Sequence, residues 1–196
     1  MEAILSVLVG VALSATCGFR VFVPLLAVNI GTRAKDADGQ PLIELAPGFD
    51  WLSSDIAMMV FLVAAIFEIG GYYIPWIDNL LDSVASPAAI VAGTLITASF
   101  ITGMAPWLQW LLGLIAGGGA AAAVQATTVV TRASSSVTTG GLGNPIVSSV
   151  ETSGAFLGSA LSILAAPFAV GIFMLLLGSG VWIWFRRRNR KLNEAA

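Results

Sequence analysis

The chain has 196 residues, 57% of them hydrophobic and only 10% charged, with 21 glycines, one cysteine and no histidine. Soluble domains carry charge on about a quarter of their residues, so this composition leaves too little polar surface for a globule in water and points to an integral membrane protein. The missing histidine excludes Ser-His-Asp and Cys-His nucleophilic sites, haem ligation through a proximal histidine and His-based zinc centres. No cofactor is expected, and Cys17, alone in an apolar run, reads as a small buried hydrophobe.

The net charge of -2 conceals an asymmetry. Five of the nine Lys and Arg residues (Arg186, Arg187, Arg188, Arg190 and Lys191) fall in the tail 186–196, directly after the aromatic belt Val181-Trp182-Ile183-Trp184-Phe185. An aromatic belt followed by a positive cluster predicts a cytoplasmic C-terminus. Orientation alone accounts for the cluster, so no nucleic-acid partner is expected. At the other end Glu2 stands where a signal peptide carries Lys or Arg, and the apolar stretch continues past Cys17, so residues 3–30 read as a retained membrane segment.

A spanning helix needs about 20 apolar residues, and five stretches meet that within a single transmembrane domain over 1–196. Ala3 to Ile30 is long enough to cross with tilt or with a break near Gly18 or Pro24. Residues 31–55 form the one substantial hydrophilic loop, in which Asp38-Gly39, Pro41 and Pro47 signal turns. Ile56 to Ile74 is the second span, Ala88 to Met104 the third and Trp107 to Thr131 the fourth. Residues 145–185 are too long for one straight span, which predicts a half-helix over Pro145 to Gly158 and a fifth span over Ala160 to Phe185. Pro75 to Ser86 reads as a second half-helix or re-entrant piece. The expected fold is therefore an all-α membrane bundle of about five transmembrane helices and two partial insertions. Five full crossings with the tail inside place the N-terminus outside and the 31–55 loop inside. If one long segment crosses twice, that assignment reverses.

Small residues mark close packing: Gly113-x-x-x-Gly117 runs into Gly118, Gly119 and Ala120 to Ala123, and Gly154-x-x-x-Gly158 repeats the device. Such faces pack the bundle, line a narrow path or dock a second copy in a homo-oligomer.

Ionisable groups within apolar segments carry the functional signal, because each costs roughly 2.5 to 3.5 kcal/mol at a helix centre and is kept with a partner or a use. Six qualify: Arg20, Glu68, Asp78, Asp82, Arg132 and Glu151. Asp78 and Asp82 share a helix face one turn apart. They read as a solvated helix start, as partners of Arg20 or Arg132, or, with Glu68, as oxygen ligands for a proton or hard cation. Thr128 lies among hydroxyls around Arg132, Thr16 precedes Arg20, and Asn144 closes the glycine-rich turn from Gly140, so these three are expected as a secondary lining. No Walker lysine or strand accompanies that turn, which rejects a nucleotide fold. A short internal duplication is suggested by Thr16 with Arg20 against Thr128 with Arg132, and by Pro75 with Asp78 against Pro145 with Glu151; matched broken segments of this kind frame a central site in transporters.

These blocks resemble a bacterial membrane family, domain of unknown function 4126. The resemblance rests on Gly18-Phe19-Arg20-Val21-Phe22-Val23-Pro24-Leu25-Leu26, on Glu68 with Tyr73-Ile74-Pro75-Trp76-Ile77-Asp78-Asn79-Leu80-Leu81-Asp82, and on Gly141-Leu142-Gly143-Asn144-Pro145 with Glu151. It implies the fold and the site positions and assigns no activity. An acid commonly follows the position of Glu151 in such sequences; here Thr152 stands there, so a carboxylate pair is not expected at that place. The sequence thus predicts an inner-membrane, multi-pass transporter or channel for a small solute or ion, not an enzyme, with Glu68, Asp78 and Asp82 facing Arg20 and Arg132. The alternatives are a structural or assembly subunit, and a flippase or membrane enzyme acting on a lipid phosphate.

Overall fold

A computed structural model describes residues 2–74, 77–165, 171 and 175. Among these residues the fold is all-helical, with one isolated bridge between Lys35 and Pro41. Helix α1 (Glu2–Thr16) and α2 (Phe22–Arg33) are followed by the folded loop, then by α3 (Asp55–Gly71) and α4 (Ile77–Phe100). Helix α5 (Pro106–Leu112) passes through a π-helical turn (Gly113–Gly118) into α6 (Gly119–Thr139), and α7 spans Asn144–Leu164. The stretches 80–100, 106–139 and 144–164 are long and apolar enough to cross a membrane.

The first apolar segment is broken at residues 17–21, and the chain turns back there. Along α1, Gly10 meets Phe100 and Ser14 Oγ donates to Gly93 O at 2.7 Å, so α1 runs antiparallel to α4. Thr16 bonds Ser159 while Phe19 packs on Gly154, so α1 is also antiparallel to α7. Along α2, Val23 packs with Ala155 and Gly31 lies against Ile163, which makes α2 parallel to α7. Two arms of opposite direction, 15 and 12 residues long, form a helical hairpin. Neither arm reaches the 20 residues of a full crossing. Leu5, Ser6 and Val9 of α1 share a cavity wall with Pro41, Leu42, Ile43 and Glu44, so the start of α1 and the hydrophilic loop occupy one end of the bundle. That corrects the expectation that they lie at opposite ends.

Both expected half-helices are absorbed into continuous helices. Pro87 lies inside α4, which runs unbroken from Ile77 and takes up most of the 75–86 segment. A proline forfeits one backbone hydrogen bond, and packed neighbours can hold the helix across it. Gly158 does not interrupt α7, because its bare Cα is used for packing: a Cβ there would lie 2.8 Å from Thr16 Cγ2. The expected span over 160–185, the aromatic belt and the basic tail 186–196 lie almost wholly outside the described residues.

Glycine faces pack inside the chain. A Cβ on Gly93 of α4 would fall 2.7 Å from Gly117 O, and one on Gly113 would fall 2.7 Å from Thr94 O, so α4 and the π-helical turn meet backbone to backbone. The loop is equally built in. Ile43, Ala46, Phe49 and Leu52 are buried, and Ala46 N donates to Ser99 O at 2.7 Å. Asp36 Oδ1 accepts from the amides of Asp38 and Gln40, closing the turn in which Gly39 adopts φ +80°.

Candidate functional site

A helix that begins inside a bundle must find partners for its first amides. At α2 they are found on another helix: Glu68 of α3 accepts from Val21 N at 2.7 Å and from Phe22 N at 3.1 Å. Pro24, in the first turn, has no amide to satisfy. Gly18 admits the α6 backbone to the hairpin tip, since a Cβ there would lie 2.6 Å from Ala121 O.

The tip carries Arg20, which is 1% exposed. Its Nε donates to Thr152 Oγ1 at 3.1 Å; Nη1 donates to Phe19 O at 3.0 Å and to Glu151 Oε2 at 3.1 Å. Nη2 reaches Ser148 O at 3.0 Å and Ser148 Oγ at 2.6 Å. Every nitrogen of this guanidinium is engaged.

Arg132 of α6 approaches the same acid from the other side. Its Nε donates to Glu151 Oε1 at 3.1 Å and its Nη2 to Oε2, the oxygen that Arg20 also uses. Asp82 of α4 lies 3.8 Å from Arg132 Nε and is part-exposed. Arg132 Nη1 is buried with no hydrogen-bond partner among the described residues. Both guanidiniums lie over the ring of Tyr72, each Cζ 4.1 Å from its centroid, an arrangement in which the ring face attracts the cations. Asp82 is five residues from the start of α4, Glu151 seven from the start of α7 and Arg132 seven from the end of α6. At 1.5 Å per residue the cluster sits about 8 to 10 Å inside the end of the bundle remote from the hydrophilic loop.

Four of the six ionisable residues therefore meet: Arg20, Arg132, Glu151 and Asp82. Glu68 lies beside them on the α2 amides, with no ion pair among the described residues. Asp78 is in the first turn of α4 by its backbone, and its side chain lies outside the described residues. For the cation reading, Glu68 and Asp82 turn to different partners, and no group of three acids, cysteines or histidines that could hold a metal occurs among the described residues. Of the secondary lining, Thr16 bonds Leu13 O and Ser159, Thr128 bonds Gln125 O, and Asn144 donates to Ser136 Oγ where α7 starts beside α6.

Two cavities flank the cluster. One, of about 260 Å³, lies between α6 and α7 against Glu151, Thr128 and Phe19. The other, of about 300 Å³, lies between the tip, α3 and α4 against Glu68, Tyr72 and Leu81. Tyr72 and Ser148 were not among the residues singled out from the sequence. Their spacing was the available signal: Tyr72 is one helical turn after Glu68, and Ser148 is three residues before Glu151 on the same face.

The family model described as "Domain of unknown function (DUF4126)" matches residues 7–186. No curated protein and no solved structure matches the chain.

Proposed function

The chain belongs to that family, whose description names no activity, and we propose from the site that it moves, or gates the passage of, a small solute or ion across a membrane. One observation carries this reading: a broken helical hairpin brings Arg20 to Arg132, Glu151 and Asp82 inside an apolar bundle. Irregular backbone at such a depth is tolerated where it is buried in protein or lines a cavity, and helix breaks beside charged groups are how transporters build central sites. Two cavities at the cluster supply space for a moving solute. The cellular placement that goes with it is the inner membrane, multi-pass, with the basic C-terminal tail in the cytoplasm.

A structural or assembly role is favoured by a separate observation, the saturation of Arg20 by five hydrogen bonds. A lipid-phosphate reading needs cations open to a headgroup, and both arginines are buried and already share Glu151. Reconstitution separates the first two roles. Liposomes containing the purified chain should show flux of protons, alkali cations or small anions that empty liposomes lack. Absence of flux for all three classes overturns the transport reading in favour of a structural subunit.

A further inference from the structure

Three described acids sit at or beside the hairpin tip, and they differ in what a proton would cost them. Glu151 accepts from two guanidiniums, so neutralising it would leave two buried cations over one neutral group. Asp82 is part-exposed at the rim and faces Arg132 at 3.8 Å. Glu68 is 7% exposed, forms no ion pair among the described residues and holds two main-chain amides. Partial positive charge at a helix start is worth about half an elementary charge, so the α2 terminus balances only part of an ionised Glu68. The charged and titratable groups facing Glu68 are Arg20 and Cys17 of the tip and Tyr72 beyond α3. The α4 wall of its cavity presents Leu81, Val84, Ala85 and Ala88, none of which titrates.

We propose that the ion handled at this site is the proton, that Glu68 is the group that binds it, and that binding loosens the α1–α2 hairpin tip. The proposal rests on the transport reading. In the ionised state both carboxylate oxygens accept, Oε1 from Val21 N and Oε2 from Phe22 N. A proton taken from hydronium forms an O–H on one of these oxygens and leaves a water molecule. That oxygen then becomes a donor and a poorer acceptor, the hydrogen bond from one amide weakens, and the charge that complements the α2 start disappears. The tip is the element that yields, because Val21 and Phe22 stand at the start of α2 and their bonds to Glu68 tie that start to α3. Its loosening opens the 300 Å³ cavity toward Arg20. Release of the proton to water restores both hydrogen bonds.

Two measurements on the full chain in liposomes test this. Amide hydrogen exchange at Val21 and Phe22, corrected for the intrinsic pH dependence of exchange, should show protection falling roughly tenfold or more as pH is lowered, the scale of one charge-assisted hydrogen bond. Glu68→Gln should show the low value at every pH. In parallel, wild-type infrared spectra should contain a carboxylic C=O band that titrates with pH, persists in Asp82→Asn and is lost in Glu68→Gln. Where Glu68→Gln does not fold, Glu68→Asp keeps the acid and should shift the band. Protection in the wild type that is independent of pH, or a titrating band that disappears in Asp82→Asn, overturns the assignment to Glu68 whatever the flux assay shows. Titration at Glu68 together with proton flux into the liposomes supports the proposal. Titration at Glu68 without flux of any solute removes the transport reading and with it the proton as a carried ion, leaving only a protonation-sensitive hairpin.

Discussion

Arg20 and Arg132 donate to the same carboxylate oxygen, Glu151 Oε2, and both lie over the ring of Tyr72. One acid thus holds a hairpin tip and two long helices together, and its removal strands two buried cations at once. Breaking a buried pair costs about 3 to 5 kcal/mol because the orphaned charge remains desolvated. Glu151→Gln should therefore lower the unfolding free energy in detergent by about that amount or prevent folding outright. Combining Glu151→Gln with Arg132→Met, which removes one of the stranded cations, should recover part of the loss. A double variant no more stable than the single would mean that the network contributes through shape rather than charge.

Asp82 offers the contrast. At 3.8 Å from Arg132 and part-exposed, it forms a longer and more hydrated pair than the buried Glu151 does, so less is lost with its charge. Asp82→Asn should melt within a few degrees of the wild type, and raising the salt concentration should narrow even that gap. A loss as large as that of Glu151→Gln would show that Asp82, rather than Glu151, anchors Arg132.

Backbone contact between α4 and the π-helical turn leads to a third expectation. A Cβ on Gly93 would meet a main-chain oxygen at 2.7 Å, which no rotamer change can relieve. Gly93→Ala should cost about 1 to 3 kcal/mol, the range of overpacked cores. Gly119 has nothing within 4 Å of the same position, so Gly119→Ala should be neutral or slightly stabilising through helix propensity. Thermal unfolding of the two variants side by side decides it, and equal melting points would refute the close approach.

Much of this fold was legible because apolar length and small-residue spacing are local properties. The breaks were legible only in part. Gly18 marked the first one correctly, since a glycine there lets α6 reach the tip. The expected ends at Ser86 and Gly158 misled, because what decides whether a helix continues past such a point is the neighbour that packs against it, and no local pattern encodes that neighbour. The cost of burying charge identified Arg20, Arg132 and Glu151, while their pairing is a matter of tertiary register. Glu68 illustrates the limit: its place in an apolar helix predicts a partner, and the partner proved to be the backbone of another helix. Tyr72 escaped notice since an aromatic in an apolar segment carries no anomaly of its own.

Topology yields the last prediction. Because α1 and α2 run in opposite directions, the start of α1 and the 34–54 loop share one end of the bundle, while the 140–143 turn lies at the other, beyond the charged cluster. Gln40 and Leu142 are both exposed, so Gln40→Cys and Leu142→Cys provide one reporter at each end. Cys17 is fully buried and should stay silent toward a membrane-impermeant thiol reagent, which lets the wild type serve as the blank. In sealed vesicles of one orientation, an N-terminal epitope and Gln40→Cys should be accessible from the same side, and Leu142→Cys from the opposite side. A first segment that crossed completely would instead separate the epitope from Gln40→Cys. Labelling those two from opposite sides would refute the hairpin, and with it the placement of Arg20 at a re-entrant tip.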